Sequence, residues 1–242
     1  MTCNCLLVNM SVGVQDWTSA SLLGGAAQLG LDGKEGKTFE ATVRKKFRGD
    51  VLGMCVGASK GEPVAVKTFK PKKSSNRILK EAQLQQICAA KLASPPVLGV
   101  SVTEKYITMP QLDSLPVETY RNCEMPSELQ YAICGLMGLM DDAKVLHCDM
   151  NARNVMLDYD GRPWMIDFGL AKKITKQVTK KHGAHPNIAV SLWGLVRGFK
   201  RYKVGCTIMQ ECQTSEDPEE YIERGKSILK EMRRAQRKRK RK

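Results

Sequence analysis

The hydrophobic positions change their period along the chain. Residues 1–38 hold Ser, Gly and Ala clusters, such as Ser19 to Ala27, with no sustained repeat, and read as an extension. From Phe39 the pattern becomes strand-like. Val43, Phe47 and Val51 predict one extended stretch and Val64 to Phe69 another, with Lys60, Gly61, Glu62 and Pro63 as the turn between them. Ser75 to about Leu92 predicts a helix capped by Ser75. Ile78, Ala82, Leu84, Ile87, Cys88 and Leu92 form its broad apolar side, and Pro95-Pro96 stands beyond it. Val97–Val102 and Tyr106–Met109 are two further strand candidates.

After Pro110 the character is helical. Pro126, Ser127 and Glu128 open a helix through Leu129, Ile133, Leu136, Met137 and Met140. Val155 to Asp158 and Trp164 to Asp167 flank Asp160-Gly161, a hairpin signal. Residues 188–199 predict another apolar helix. The last helix starts at Asp217-Pro218-Glu219-Glu220, a cap followed by Pro in the first turn, and runs through Ile222, Ile228, Leu229 and Met232. Strands first and helices second predict an α+β, two-lobed architecture. The segments are an N-terminal extension (1–38), a strand-rich lobe (39–109), a helical lobe (110–232) and a basic tail (233–242).

Composition narrows the class. With 242 residues, 42% apolar and 26% charged, the chain supports a real core and is not globally disordered. No run approaches the roughly 18 apolar residues of a membrane span, so no membrane partner is expected. The first fifteen residues lack Lys and Arg, which argues against a secretory signal. The nine cysteines are scattered and form no CxxC or Cys/His quartet, and Cys3-x-Cys5 is the one close pair. Reduced thiols in the cytoplasm or nucleus fit better than a disulfide framework or structural zinc. The net charge of +14 is concentrated in Arg233–Lys242, where eight of ten residues are basic. Self-repulsion predicts an extended tail, and its partner is a nucleic-acid phosphate backbone or an acidic protein, unless it serves nuclear entry or is simply solvated. It has no aromatic residue for base stacking.

The densest chemistry lies in Leu146-His147-Cys148-Asp149-Met150-Asn151-Ala152-Arg153-Asn154, followed thirteen residues after Asn154 by Asp167-Phe168-Gly169. His, Asp and Asn in this order, then a hairpin, then Asp-Phe-Gly, resemble the protein-kinase superfamily over roughly Phe39 to Phe199. Val64-Ala65-Val66-Lys67 is similar to the strand of that family that carries its phosphate-holding lysine. The resemblance implies a small antiparallel-sheet lobe, a truncated helical lobe, ATP and Mg²⁺ as cofactors, and phosphoryl transfer to a Ser or Thr hydroxyl of a protein substrate. It implies that Asp149 orients the acceptor hydroxyl, Lys67 holds the α- and β-phosphates, and Glu81 on the next helix holds Lys67. Asn154 and Asp167 take the metal, and Arg153 balances charge near the transferred group. Val51 and Ala65 would roof the adenine and Met156 would floor it. Met109 to Leu112 would be the hinge, with Met109 and Leu112 at the nucleotide.

Several positions depart from the family pattern. Counting back from Lys67 places the last loop glycine at Gly49, with Arg44 and Lys46 near the two earlier glycine places, so the loop is basic. A register through Gly30, Gly33 and Gly36 would need a long insertion. Cys148 replaces the Arg that pairs with a phosphorylated activation loop, and Asn151 stands where many serine/threonine kinases have Lys. Ala152-Arg153-Asn154 is nearer the tyrosine-kinase style. No Ala-Pro-Glu follows Asp-Phe-Gly, and about twenty residues separate Asp167 from the helix near Asn187. This economy is similar in layout to RIO-type kinases, the KEOPS-complex kinase and reduced kinases of large DNA viruses. A nucleotide-binding pseudokinase scaffold and an ATPase-like subunit of a nucleic-acid complex are the competing readings. Gly36-Lys37-Thr38 ends like a phosphate loop, but Leu31 occupies the required first glycine. The motif position makes His147 structural. His182 and His185 read as loop residues rather than ligands, and Thr175 and Thr179 as solvated loop threonines.

Overall fold

The computed structural model describes residues 51–59, 62–112, 115–201 and 205–239, all within the unit that runs from Phe39 to Lys242. The expectations for the N-terminal extension, for Val43 and Phe47, for the basic loop with Gly49, and for Gly36-Lys37-Thr38 lie outside the described residues.

The first part is a four-stranded antiparallel sheet in the order β1-β2-β4-β3. Its strands are β1 (Val51–Ser59), β2 (Glu62–Phe69), β3 (Gly99–Ser101) and β4 (Tyr106–Pro110). The strand expected around Val51 extends forward to Ser59 and pairs with β2 along its whole length. Side chains alternate faces along a strand. On β2 this puts Ala65, Lys67 and Phe69 on one face, and Lys67 lies opposite Ile107 of β4. That face packs on helix α1 (Ser75–Ala90), where Phe69, Ile78, Ala82, Ile107 and Met109 form a small core.

α1 begins where expected, but Ser74 is its N-cap, and it stops at Ala90 rather than near Leu92. Leu92 adopts a left-handed backbone, φ 63°, which ends the helical run before the prolines are reached.

The helical part is built on α2 (Ser127–Asp142), whose Leu129, Ile133, Leu136, Met137 and Met140 are fully or nearly buried. Around it stand α4 (Trp193–Arg201), α5 (Thr207–Thr214) and α6 (Glu219–Arg239). Short strands β5 (Leu115–Pro116), β7 (Val155–Leu157) and β8 (Pro163–Met165) make a second sheet. β6 (Val145–Leu146) pairs with β9 (Lys172–Lys173), just before the short helix α3 (Lys176–His182). The hairpin expected at Asp160-Gly161 is the β7–β8 connection, and Gly161 takes φ 77° there.

α2 and α6 cross at glycine. A Cβ on Gly225 would lie 2.0 Å from the Tyr131 carbonyl oxygen, and one on Gly135 would lie 2.3 Å from the Gly225 carbonyl carbon. Two backbones meet here with no side chain between them. The second difference from expectation is the tail. α6 continues as regular helix through Arg233 to Arg239 instead of becoming extended. Its basic end is drawn to the β7–β8 hairpin, where Gln236 donates to Asp158 at 2.7 Å and Arg239 pairs with Asp160. Local carboxylates and a long helical run offset the self-repulsion that the charge pattern alone predicts.

Asn187 ties the helical part together. Its Nδ2 donates to Asp141 and to the Val145 carbonyl, both at 2.7 Å, and its Oδ1 accepts from Ser191 and from the His147 backbone N–H. It opens a π-helical turn (Asn187–Leu192) that feeds α4. Asp141 is 5% exposed, and burial pushes its carboxyl up to about 7 despite the donors of Asn187. Its second oxygen has no hydrogen-bond partner; His185 stands 3.8 Å away.

Two outcomes follow from this packing. Gly225→Ala forces the α2–α6 backbones apart, so chemical denaturation should read a loss of about 3 kcal/mol or more, with no change in an exposed control such as Ser227→Ala. The native Asp141 carboxyl binds its proton more tightly than the unfolded one (about 3.9). Its contribution is therefore fully present below pH ~4 and is lost as the pH rises through about 7, with a slope of at most ~1.4 kcal/mol per pH unit. Asp141→Asn keeps an acceptor for Asn187 and should flatten that slope in melting curves taken between pH 4 and 8.

Candidate active site

Four buried or half-buried charges meet between the sheet and the helical part. Lys67 Nζ lies 2.5 Å from Glu81 Oε1 and 2.7 Å from Asp167 Oδ1. Glu81 also accepts from Lys73 Nζ at 2.7 Å through its other oxygen. The sequence pattern explains how these groups converge. Lys67 shares the α1-facing side of β2 with Phe69, while Glu81 sits on the buried stripe Ile78, Glu81, Ala82, Gln85 and Cys88 of α1. Burial works against the Lys67 ammonium, but Glu81 and Asp167 outweigh it and raise its pKa. Burial likewise works against the Asp167 carboxylate, and Lys67 outweighs that, holding it below the usual carboxylate range. The two groups therefore stay oppositely charged at neutral pH.

Lys73 was not singled out by its motif. It is 6% exposed, its ammonium lies 4.0 Å from the Phe69 ring centre, and its backbone carbonyl accepts from Lys105 at 3.0 Å. The available signal was its place two residues before α1 in a run of lysines, which composition alone reads as solvated surface.

The second group of residues comes from the loop after β6 and from the β7–β8 hairpin. Asn154 Nδ2 donates to the Asp149 carbonyl at 2.8 Å and approaches the Asp149 carboxylate at 3.4 Å. With the amide nitrogen so engaged, the amide oxygen of Asn154 is the atom left to act as a ligand. The Asn154 carbonyl accepts from Ile166 N at 2.9 Å, which sets Asn154 beside the segment that leads from β8 into Asp167. Asp167 adopts φ 64°, as does Cys148 on the other side of the site. Left-handed backbone at two non-glycine positions costs energy that the surrounding contacts must offset.

His147 is fully buried and braces both segments. Its Nε2 lies 2.9 Å from the Ile166 carbonyl, and its ring meets Phe168 edge-on at 5.2 Å. Burial lowers its pKa, so the ring is neutral, and the carbonyl partner assigns the proton to Nε2.

The remaining expected residues fall as follows. Val51 and Ala65 are half-buried and pack against the small core under the sheet. Met156 is half-buried on β7, opposite Pro116 of β5. Leu112 is half-buried just past β4. Met109 differs from its expected place at the hinge edge: its side chain is 7% exposed, lies in the core with Phe69 and Ile78, and has Gln85 Nε2 at 3.6 Å from its sulfur. It faces α1 because it pairs directly with Ala65 on the same face. Arg153 is 65% exposed and its Nε donates to Glu118 at 2.9 Å, a carboxylate that balances its charge. Gly49 lies outside the described residues.

The hairpin also grips the end of α1. Arg162 is 2% exposed, donates to the Leu92 carbonyl at 2.6 Å and stacks 3.8 Å from the Trp164 ring. Met165 N donates to the Ala93 carbonyl at 2.9 Å. Glu81 in the middle of α1 and Leu92–Ala93 beyond its C-terminal end are thus both referenced to the Asp167 segment.

Comparison with known proteins agrees with this geometry. The profile of the protein tyrosine and serine/threonine kinase family matches residues 27–193. Among curated relatives, a probable serine/threonine-protein kinase PknB of Lactococcus lactis is 26% identical over 125 residues, covering 47% of this chain and 20% of its own. A cysteine-rich receptor-like protein kinase 6 of Oryza sativa is 32% identical over 129 residues, covering 46% of this chain and 18% of its own. The chain spans about a fifth of the length of these relatives. Lys67 in contact with both Glu81 and Asp167, the α+β architecture and a profile match across most of the chain place the protein in the protein-kinase family.

Proposed function

We propose that the protein transfers the γ-phosphate of ATP to a Ser or Thr hydroxyl of a protein substrate, with Mg²⁺. The convergence of Lys67, Glu81 and Asp167 within 2.7 Å carries this reading, because phosphoryl transfer depends on positioning and charge neutralisation more than on covalent chemistry. Lys67, held by Glu81, presents an ammonium to the α- and β-phosphates. Asp149 orients the acceptor hydroxyl and takes its proton, and the Asn154 amide steadies the Asp149 loop. The Asp167 carboxylate and the Asn154 amide oxygen are hard donors, and Mg²⁺ commonly takes one or two such side chains together with waters and phosphates. When bound, that ion neutralises charge on the phosphate oxygens. Val51, Ala65 and Met156 supply apolar surface for the base, and Leu112 follows the strand whose edge would meet it. The serine/threonine acceptor is supported by the name of the bacterial relative and opposed by the Ala152-Arg153-Asn154 style, so the acceptor itself is part of the test.

We also propose that the basic end of α6 contacts a polyanion. Arg234, Arg237 and Lys238 are exposed there, and phosphate binding by such a helix is electrostatic and salt-dependent. Cytoplasm or nucleus is the proposed compartment; among the described residues no helix is long and apolar enough to cross a membrane.

Labelled ATP with a generic protein acceptor tests the first proposal. Wild type should label the acceptor or itself, and phosphoamino-acid analysis should find phosphoserine or phosphothreonine. Lys67→Met, Asp149→Asn and Asp167→Ala should each lower transfer by about 100-fold or more. Their melting temperatures should stay near wild type; for Lys67→Met this is because Lys73 still pairs with Glu81 and leaves no buried carboxylate stranded. Nucleotide binding without transfer would establish a pseudokinase, and phosphate release without labelled protein an ATPase. Deleting Arg233–Lys242 should leave transfer to a short peptide within about twofold while markedly lowering the salt concentration needed to elute the protein from immobilised RNA.

A further inference from the structure

The outer side of α1 and the segment after Asp167 enclose a groove of about 860 Å³ that none of the residues discussed above uses. Its floor is apolar. Leu84 and Ile87 come from α1 and Val178 from α3, and Ile87 is 40% exposed although it is aliphatic. Its rim is basic, with Lys80 on α1 and Lys172 and Lys173 on β9. Lys80, Leu84 and Ile87 follow helical spacing, so they lie along one face of α1. Lys80 and Lys172 act on the same Cys148 thiol, which puts the two rims near one another.

The charge here is one-sided. Lys80, Lys172 and Lys173 have no carboxylate partner among the described residues, and α3 adds Lys176, Lys180 and Lys181, all exposed. The one acidic residue of α1, Glu81, is turned inward to Lys67 and Lys73. An apolar floor with an unpaired cationic rim is complementary to a segment that is apolar on one face and acidic beside it. A bare polyanion would use the lysines and leave Ile87 and Val178 uncovered, so nucleic acid matches this surface less well than protein does. A helix suits the groove, because Ile87 on one wall and Val178 on the other offer apolar contacts for i, i+3 and i+4 anchors.

We infer that the groove between α1 and the β9–α3 segment is a docking site for an acidic amphipathic helix of a partner protein. Contact with the apolar floor supplies affinity, and the lysines steer and orient the partner. This surface is separate from the basic end of α6.

An 18-residue helical peptide with leucine on one face and glutamate elsewhere, carrying a fluorophore and a photo-crosslinker, tests it on the full chain. Binding should saturate, weaken as salt rises, and cross-link into the segments 80–90 and 172–178. Ile87→Glu, at an exposed position that leaves the fold intact by melting temperature, should weaken binding by about tenfold or more, and so should the double change Lys172→Glu with Lys173→Glu. A control peptide with its leucines replaced by glutamine should bind at least tenfold more weakly than the original. Three results overturn the inference: cross-links falling in Arg233–Lys242, equal binding of the glutamine control (the signature of simple polyanion attraction), or unchanged affinity of Ile87→Glu. Absence of saturable binding overturns it as well.

Discussion

The structure depends on a buried balance of charge around Glu81. One carboxylate, nearly inaccessible to water, accepts from two ammonium groups, and one of those ammonium groups also reaches a second carboxylate on the far segment. Taking such ions out of water costs several kcal/mol each, and the cost is recovered only when every charge has a close partner. Two lysines against Glu81 and Asp167 meet that condition. Lys67 bridges Glu81 and Asp167, and this ties β2, α1 and the Asp167 segment into one unit.

Lys73 gives that unit a particular property. Glu81 is held from two sides, so α1 does not rely on Lys67 alone for its position. If Lys67 turns toward phosphate, Lys73 keeps Glu81 paired. The ring of Phe69 under the Lys73 ammonium adds an attraction of order 1 kcal/mol and shields it from water. Beyond the C-terminal end of α1, Arg162 performs a similar service from the hairpin through the Leu92 carbonyl. Burial lowers its pKa to about 10, which still leaves the guanidinium charged at neutral pH. The helix is therefore held at its middle and beyond its C-terminal end by basic residues, each of which is itself buried in packing.

The helical part solves a different problem. It must place a loop bearing Asp149 and Asn154 against a segment bearing Asp167. His147 and Asn187 do this from the inside, with hydrogen bonds to backbone groups that any side-chain variation would leave in place. The α2–α6 glycine contact brings the last helix close enough for its basic end to reach Asp158 and Asp160 on the same hairpin. The tail that charge counting treats as a separate appendage is thus anchored to the frame of the site.

The sequence by itself determined the strand-then-helix order, the α+β class and the main charged residues of the site. Those are local properties: period two along Val64–Phe69, period 3.6 along α1 and α2, and an ordered set of Asp, Asn and Lys whose spacing few other folds require. Tertiary structure decided what depends on distance across the chain. Met109 went to the core because its cross-strand partner Ala65 faces α1, a matter of register that one strand cannot reveal. Arg153 turned to Glu118, thirty-five positions away, because that carboxylate was nearby in space. The tail stayed helical because α2 and the hairpin support it. Lys73, Asn187 and Arg162 became structural hubs only when burial removed water as their alternative partner, and burial is a property of the packed chain rather than of any segment.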